Sequence, residues 1–289
     1  MTQNGGVDSD SPASLTALAV ARFRAVHQIT EGGRVLHDPL AVAILGERLD
    51  DLTNLDVDRR LRLFVCARSR YAEDVLATAV PHGLDQLLVL GAGLDTFAYR
   101  NPYPGLRVVE VDHPATQAWK RQRLADAGIA VPVSVTLAPV DFERDDLGRV
   151  LAEALDLTRP VLCWWLGVTP YLTLEAITAT LSTLAGPRHA AVVLDHAAPD
   201  PHASALARAW QAQRAARVAA VGEPWLTRIA PDDLAALGLR CGFEHVHHED
   251  EGELLRRVLG HRAREQRVNH LALMTRGWWV EGEAPQPRS

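Results

Sequence analysis

Cysteine is scarce in this sequence of 289 residues, which contains only three. Cys66, Cys163 and Cys241 lie far apart in apolar surroundings, and no two of them are separated by just two residues. Disulfide frameworks and structural zinc sites are recognised in a sequence by several regularly spaced cysteines. The sequence therefore predicts neither feature, and its cysteine content favours a reducing, cytoplasmic location.

Long apolar runs and an excess of positive charge are also missing. No stretch approaches the roughly 20 apolar residues of a transmembrane helix, and the polar start MTQNGGVDSDSPAS lacks the basic and apolar regions of a signal peptide. The 30 Lys and Arg residues face 36 Asp and Glu residues, which gives a formal net charge of −6. We therefore expect neither a membrane nor a nucleic acid as partner.

The chain is 47% hydrophobic, and its pattern changes along its length. Residues 1–12 and 281–289 are polar and are predicted to be disordered. Residues 13–82 have helical periodicity and are predicted to form an N-terminal helical cap. From 83 to 280, short apolar runs alternate with helical stretches, as in βαβ units. An insertion at about 198–230, with a helix predicted at 202–221, is interpreted as a lid.

This alternation predicts an α/β fold with a mostly parallel, doubly wound sheet. Strands are predicted at 86–90, 107–112, 133–140, 160–166, 190–196, 243–248 and 268–275. Helices are predicted between them at 114–127, 144–155, 173–185 and 231–239. Ligands of such sheets bind at the carboxyl ends of the strands, so that is where we look for a site.

A turn with two glycines follows the first predicted strand. The apolar residues 87–90 run directly into the sequence GAGLDT at 91–96. Glycine lets the backbone turn tightly and approach a ligand without a side chain in between. The third glycine of the dinucleotide fingerprint would fall at Thr96, so the pattern favours S-adenosyl-L-methionine over NAD(P). A tight turn without a ligand is the structural alternative.

An acid ends the second predicted strand. Asp112 lies about 20 residues after Gly91, the spacing at which a carboxylate meets ribose hydroxyls. Glu110 has the same parity on the strand, so both side chains are expected on one side. Asp112 is nearer the carboxyl end and is therefore the better candidate.

An arginine interrupts the apolar stripe of the helix predicted at 58–80. Arg68 lies on the face where apolar residues recur at helical spacing. A buried guanidinium needs a partner, because an unpaired buried charge is very costly. The alternatives are an internal ion pair with Asp74 or Asp95, and two-pronged binding of a ligand carboxylate, such as that of the methionyl group.

These and further motifs, in this order, resemble the leucine carboxyl methyltransferase-like family of S-adenosyl-L-methionine-dependent methyltransferases, especially bacterial members of the natural-product type. The resemblance extends from about residue 15 to 275. It is carried by Arg24-Ala25, HDPLA (37–41), Ala67-Arg68, LGAGLDTFAYR (90–100), EVDHP (110–114), VDF (140–142) and GVTPYL (167–172). It implies a class I fold: a Rossmann-like sheet of seven strands with the last antiparallel, a helical cap, and a lid after the fifth strand.

The resemblance also implies a set of cofactor-binding residues. Arg68 would hold the methionyl carboxylate, Gly91 and Gly93 would flank the methionyl part, and Asp112 would bind the ribose. Asp141 and Phe142 would surround the adenine. The whole predicted set is Arg68, Gly91, Gly93, Asp112, His113, Asp141, Phe142 and Leu166.

Leu166 is a departure from the family. Relatives that methylate a protein phosphatase have Glu at this position, so the same peptide carboxylate is not predicted as the substrate. Leu166 would line the cofactor pocket through its backbone.

Methyl transfer from a sulfonium is an in-line displacement, in which the protein mainly aligns the reactants and excludes water. A carboxylate acceptor needs no general base, whereas a phenol, an alcohol or an amine would benefit from one. His196 and Tyr171 are the predicted catalytic residues, His113 is a further candidate, and a wall or hydrogen-bonding role is the alternative for each. No metal site is predicted at HVHHED (245–250), because strand alternation divides its histidines between two faces.

The sequence thus predicts an O-methyltransferase that uses S-adenosyl-L-methionine, yields S-adenosyl-L-homocysteine and methylates a small-molecule substrate, most simply a carboxylate. The alternatives are a phenolic O-, N- or C-methyltransferase of a natural-product pathway, an NAD(P)-linked oxidoreductase, and a non-catalytic nucleoside-binding scaffold. A homodimer is left open.

Overall fold

The computed structural model describes residues 14–55, 58–141, 145–220, 222–260 and 268–277, with the backbone alone for Ala207 and Trp210. In the described part of the chain, four α-helices precede the first strand: α1 (Leu15–Thr30), α2 (Leu40–Leu45), α3 (Leu49–Thr53) and α4 (Arg59–Ala79). Asp58 begins α4, because its carboxylate accepts the free N–H groups of Arg60 and Leu61. Among the described residues, no helix has both the length and the apolar character of a membrane span.

Seven strands form one sheet. They are β1 (Gln86–Leu90), β2 (Arg107–Asp112), β3 (Val135–Pro139), β4 (Val161–Trp165), β5 (Ala190–Ala197), β6 (His245–Asp250) and β7 (Asn269–Arg276). Their order is β3-β2-β1-β4-β5-β7-β6, in which the first five are parallel and β7 is antiparallel to both neighbours. The prediction of a mostly parallel sheet with an antiparallel last strand is confirmed. The order reverses between β1 and β4, where doubly wound sheets bind ligands.

Seven further helices follow: α5 (Phe97–Arg100), α6 (Pro114–Asp126), α7 (Leu147–Ala154), α8 (Leu174–Leu184), α9 (Ala205–Ala220), α10 (Pro231–Cys241) and α11 (Glu251–Leu259). Alternate residues of the central strands point to opposite faces of the sheet. In β4, Leu162 and Trp164 join the core on the α4 face, and Cys163 and Trp165 join the core on the α8 face. The sheet is therefore buried on both sides.

The sequence did not predict α11, and it placed β6 two residues too early. The helix begins immediately after β6 with a capping box, in which Asp250 and Glu253 each bind the backbone N–H of the other. Along β6, His245 and His247 are exposed and His248 is half-buried, as the predicted alternation requires.

Candidate active site

The five parallel strands bring most of the predicted site residues to one edge of the sheet, namely the edge formed by the carboxyl ends of these strands. Gly91 and Gly93 follow β1, Asp112 ends β2, Leu166 follows β4 and His196 lies near the end of β5. Parallel pairing in register places the carboxyl ends of these strands side by side. Asp141 follows β3 at the same edge.

Both glycines of the turn have backbone conformations that L-residues rarely adopt. The φ angle is 67° at Gly91 and 43° at Gly93. A Cβ added to Gly91 would lie 2.3 Å from Cγ2 of Val168, and one added to Gly93 would lie 3.0 Å from Cβ of Ala17. Glycine is therefore required both by the backbone angles and by the close approach of the neighbouring segments.

Asp112 fixes this turn from the second strand. Its Oδ2 accepts the N–H of Gly93 at 2.6 Å, and its Oδ1 accepts the N–H of His113 at 2.7 Å. Burial raises the pKa of Asp112, an effect that these hydrogen bonds only partly offset. The side chain of Thr116 is a third partner of this carboxylate. Because two carboxylate oxygens have four lone pairs in all, one position remains to accept a bond from a ribose hydroxyl.

Glu110, the other acid of β2, has a different role. It is completely buried, and its Oε2 lies 2.7 Å from Nζ of Lys120 and accepts a hydrogen bond from the hydroxyl of Tyr99 at 2.9 Å. Glu110 is therefore part of an internal ion pair, and the preference for Asp112 as the ribose ligand is consistent with this geometry.

Arg68 is buried and lies against the ends of β4 and β5. Its Nη1 donates to Oδ2 of Asp195 at 2.6 Å, while Oδ1 of Asp195 accepts the N–H of Gly167 at 2.5 Å. A Cβ on Gly167 would lie 2.8 Å from Nη2 of Arg68, so only glycine leaves room for the guanidinium. Within the described part of the chain, Nε of Arg68 is buried without a hydrogen-bond partner.

The ion-pair partners predicted for Arg68 were wrong. Asp95 is bound by Arg24 at 2.6 Å, and Asp74 is bound by Arg70 one helical turn away at 2.9 Å. Asp195 is the partner instead. The sequence did not identify Asp195 as the partner, although an acid within β5, directly after the apolar run 190–194, was a usable signal. No role was predicted for Arg24 either.

The remaining predicted cofactor residues lie around the same edge or outside the described residues. His113 is exposed and begins α6, where its Nδ1 accepts the N–H of Ala115 at 3.3 Å. The N–H of Asp141 binds Oδ2 of Asp145 at 2.8 Å. Phe142 lies outside the described residues, so its predicted contact with adenine stays a prediction.

The loop after β4 combines Leu166 and Tyr171. Leu166 packs against the apolar core on the α4 face, so a hydrocarbon side chain occupies the position of the family Glu. Tyr171 is half-buried in a single 3₁₀ turn, Thr169–Tyr171. The carbonyl of Pro170 in this turn accepts the N–H of Leu226 at 2.7 Å. The segment between α9 and α10 therefore covers this loop.

His196 is buried on the face of β5 opposite to Asp195. Its Nδ1 lies 3.0 Å from the carbonyl oxygen of Ile229, and its ring stacks on His270 and meets His248 edge-on. Burial, with smaller contributions from the two other histidines, lowers the pKa of His196 to about 3. This environment favours the hydrogen-bonding role of His196 over that of a general base.

A surface groove lies elsewhere, at the end of the sheet formed by β6 and α11. Its lining includes His247, Glu253 and Arg256. Strand β6 is four positions from β1 in the sheet, about 19 Å at the usual strand spacing. This groove is therefore separate from the edge that carries the glycine turn.

The sheet order, the glycine turn and the acid at the end of β2 are typical of doubly wound α/β proteins that bind a nucleoside cofactor. The sequence profile of the leucine carboxyl methyltransferase family matches residues 17–185. YktD of Bacillus subtilis is provisionally assigned as an S-adenosyl-L-methionine-dependent methyltransferase and is 32% identical over 197 residues. The match covers 65% of this chain and 64% of YktD, so the chain spans just under two thirds of the length of that relative. A Mycobacterium avium relative with the same provisional assignment is 32% identical over 223 residues, or 68% of this chain and 71% of the relative.

The chain belongs to the leucine carboxyl methyltransferase family, and S-adenosyl-L-methionine is the cofactor of this family. Two solved structures share the fold. A provisionally assigned methyltransferase of Thermobifida fusca has a TM-score of 0.54 and 15% identity over 94% of this chain and 99% of that one. A DUF574 family protein of Streptomyces avermitilis has a TM-score of 0.53 and 17% identity over 89% and 97%.

The residues at the edge fit this cofactor. Gly91 and Gly93 leave the backbone of the turn open to close approach, and Asp112 keeps one lone pair free for a hydroxyl group. Arg68 supplies a buried cation whose Nε has no hydrogen-bond partner among the described residues. These residues offer a cation for the methionyl carboxylate and an acceptor for a ribose hydroxyl.

Proposed function

We propose that this protein is an O-methyltransferase that transfers the methyl group of S-adenosyl-L-methionine to a carboxylate oxygen of a small molecule. The bound cofactor supplies an electrophilic methyl group on a sulfonium. Because that group is already activated, the chain has to hold the reactants in line and keep water out.

The environment of His196 is the observation that supports a carboxylate acceptor. Its Nδ1 faces the carbonyl of Ile229, which can only accept, so Nδ1 carries the proton and Nε2 lies buried between imidazole rings. With a pKa of about 3, the residue is a weak base. A carboxylate is already anionic at neutral pH and needs no base, so this acceptor matches the site best.

Different residues of the chain are proposed to bind different parts of the cofactor and the acceptor. Arg68, held by Asp195, is proposed to bind the methionyl carboxylate, and Asp112 the ribose. Asp141 and Phe142 are proposed to lie around the adenine, and Leu166 to line the pocket. Tyr171 is proposed as a wall of the acceptor site, because the segment after α9 covers its turn.

We propose a cytoplasmic location as well. Cys66, Cys163 and Cys241 all carry free thiols, which are usual in a reducing compartment.

The test is a transfer assay with methyl-labelled cofactor and matched panels of carboxylic acids, phenols and amines. We expect label in a product that releases volatile methanol under mild alkali, because esters hydrolyse under these conditions whereas aryl ethers and methylamines do not. Label confined to alkali-stable products would contradict carboxylate methylation and support the phenolic O-, N- or C-methyltransferase.

A further inference from the structure

The N-terminal cap binds the glycine turn through a buried arginine. Arg24 of α1 donates from Nη1 to Oδ2 of Asp95 at 2.6 Å and from Nη2 to the carbonyl of Leu94 at 2.6 Å. Both acceptors belong to the turn, some 70 residues away in sequence. The planar fork of a guanidinium fixes two acceptors at once, so Arg24 sets the position of the backbone as well as that of the side chain.

Asp38, just before α2, makes the second connection. Its Oδ1 accepts the hydroxyl hydrogen of Thr96 at 2.6 Å, and its Oδ2 lies 3.6 Å from Nε of Arg24. Nε of Arg100, at the end of α5, lies 3.4 Å from Oδ1. The third glycine of a dinucleotide fingerprint is therefore replaced by a threonine whose hydroxyl binds the cap.

The charges of this network depend on one another. Burial alone would disfavour the charged forms, but Asp95 and Asp38 outweigh it and raise the pKa of Arg24, and Arg24 in turn contributes most to lowering the pKa of Asp95. Removing one member of such a buried set leaves the charges of the others less fully compensated. The bonds from Arg24 to Asp95 and Leu94, and from Thr96 to Asp38, join the cap to the turn, so they exist only when the cap is docked.

The turn is thus held from two sides. Asp112 of β2 binds the N–H of Gly93, and the cap binds the carbonyl of Leu94 and the side chains of Asp95 and Thr96. Helix α1 also lies directly on the turn, since Ala17 is in contact with Gly93. A shift of the cap would change the backbone that approaches the cofactor.

We propose that Arg24 and Asp38 are positioning residues for the cofactor, and that docking of the cap and binding of the cofactor are coupled through residues 94–96. A docked cap holds the turn in the conformation that binds the cofactor. By thermodynamic linkage, bound cofactor must stabilise the docked cap to the same extent. The inference rests on the proposed binding of S-adenosyl-L-methionine and does not depend on the identity of the acceptor.

The first experiment compares two arginines of the same helix. Arg24→Gln removes the guanidinium that binds Asp95 and the carbonyl of Leu94. Arg22→Gln removes a half-exposed arginine that pairs with Glu47. We expect calorimetric titration with S-adenosyl-L-homocysteine to show affinity at least about tenfold weaker for Arg24→Gln. Arg22→Gln should stay within about twofold of the unmodified protein.

The wild-type titration separates the two claims. A wild type that does not bind S-adenosyl-L-homocysteine contradicts the cofactor assignment and this inference with it. Equal affinities of wild type and a folded Arg24→Gln overturn the coupling and leave the cofactor assignment standing.

A milder variant covers the case in which Arg24→Gln does not fold. Thr96→Val keeps the branched shape and loses only the hydroxyl that binds Asp38, and we expect at least about threefold weaker binding.

Amide hydrogen exchange of the wild type, with and without ligand, measures the coupling directly. S-adenosyl-L-homocysteine should slow amide exchange more in α1 and the turn than in α10, which packs on α8 and β6 away from the turn. Overall stabilisation by the ligand would slow all three alike, so equal slowing in α10 would overturn the proposal. Unchanged exchange in α1 at saturating ligand would overturn the proposal.

Discussion

Arg68 combines an internal ion pair with spare capacity for a ligand. A guanidinium has five N–H donors. In the structure Nη1 binds Asp195, and Nε has no hydrogen-bond partner among the residues described. Asp195 therefore orients the group and compensates its burial, while other donors stay available for a ligand carboxylate. An internal ion pair and ligand binding were opposed alternatives in the sequence, and the geometry allows both.

The role of Arg68 can be tested against a neighbour on the same helix. We expect Arg68→Gln to weaken binding of S-adenosyl-L-homocysteine by about 2–4 kcal/mol, the scale for removing one partner of a buried charge pair. Arg70→Gln is the matched control, because Arg70 pairs with Asp74 in the next turn and is more exposed. Isothermal titration calorimetry measures both, and equal losses in the two variants would remove Arg68 from the site.

The sequence could show that Arg68 needs a partner but not which one. Asp195 is 127 residues further along the chain. The two meet only because β5 lies beside β4 and α4 packs over that face. Local pattern identifies a buried charge on a helix, whereas its partner is decided by the packing of distant elements.

At the scale of elements, prediction succeeded where an apolar run has sharp limits. Strands β1 and β2 have the predicted bounds, because polar residues and turns enclose each run. Helix α11 was missed for a physical reason. It starts directly after β6 without a turn residue, and Gly252 in its first turn has low helix propensity. Its capping box, with Asp250 and Glu253, was the available signal.

The antiparallel end of the sheet gives a pH-dependent prediction. His196 has a pKa of about 3 and His248 a pKa of about 4 in the folded protein, both lowered mainly by burial, against 6.5 for an unperturbed histidine. As the pH falls below 6.5, the unfolded chain takes up protons that the folded protein does not bind. The contribution of these two histidines to stability is therefore full above pH 6.5 and is lost as the pH falls toward their folded pKa values of about 4 and about 3.

His196→Asn tests this directly, because the Asn amide can still donate to the carbonyl of Ile229 but does not titrate. Urea denaturation at pH 7.5 and pH 5.0 should show that the variant loses about 2 kcal/mol less stability than wild type between the two values. His245→Asn changes an exposed imidazole of the same sheet and serves as control. An equally steep loss in His196→Asn would contradict the buried neutral state.

At the scale of the molecule, the cofactor edge joins parts of the chain that are distant in sequence. The cap contributes Arg24 and Arg68, the first two strands contribute the glycine turn and Asp112, and β5 contributes Asp195. A ligand bound at a site that depends on all of these should stabilise the folded chain as a whole, because the unfolded chain offers no such site.

We therefore expect S-adenosyl-L-homocysteine at 100 times its Kd to stabilise the protein by about 2.7 kcal/mol. For a chain of this size that is a rise of roughly 5 °C in Tm. NADH at the same concentration should leave Tm unchanged. The third glycine of the dinucleotide fingerprint is Thr96 here, and its hydroxyl binds Asp38, so the turn lacks a feature of pyrophosphate-binding turns. Scanning calorimetry with each ligand measures the two Tm shifts. A larger shift with NADH than with S-adenosyl-L-homocysteine would favour the oxidoreductase alternative.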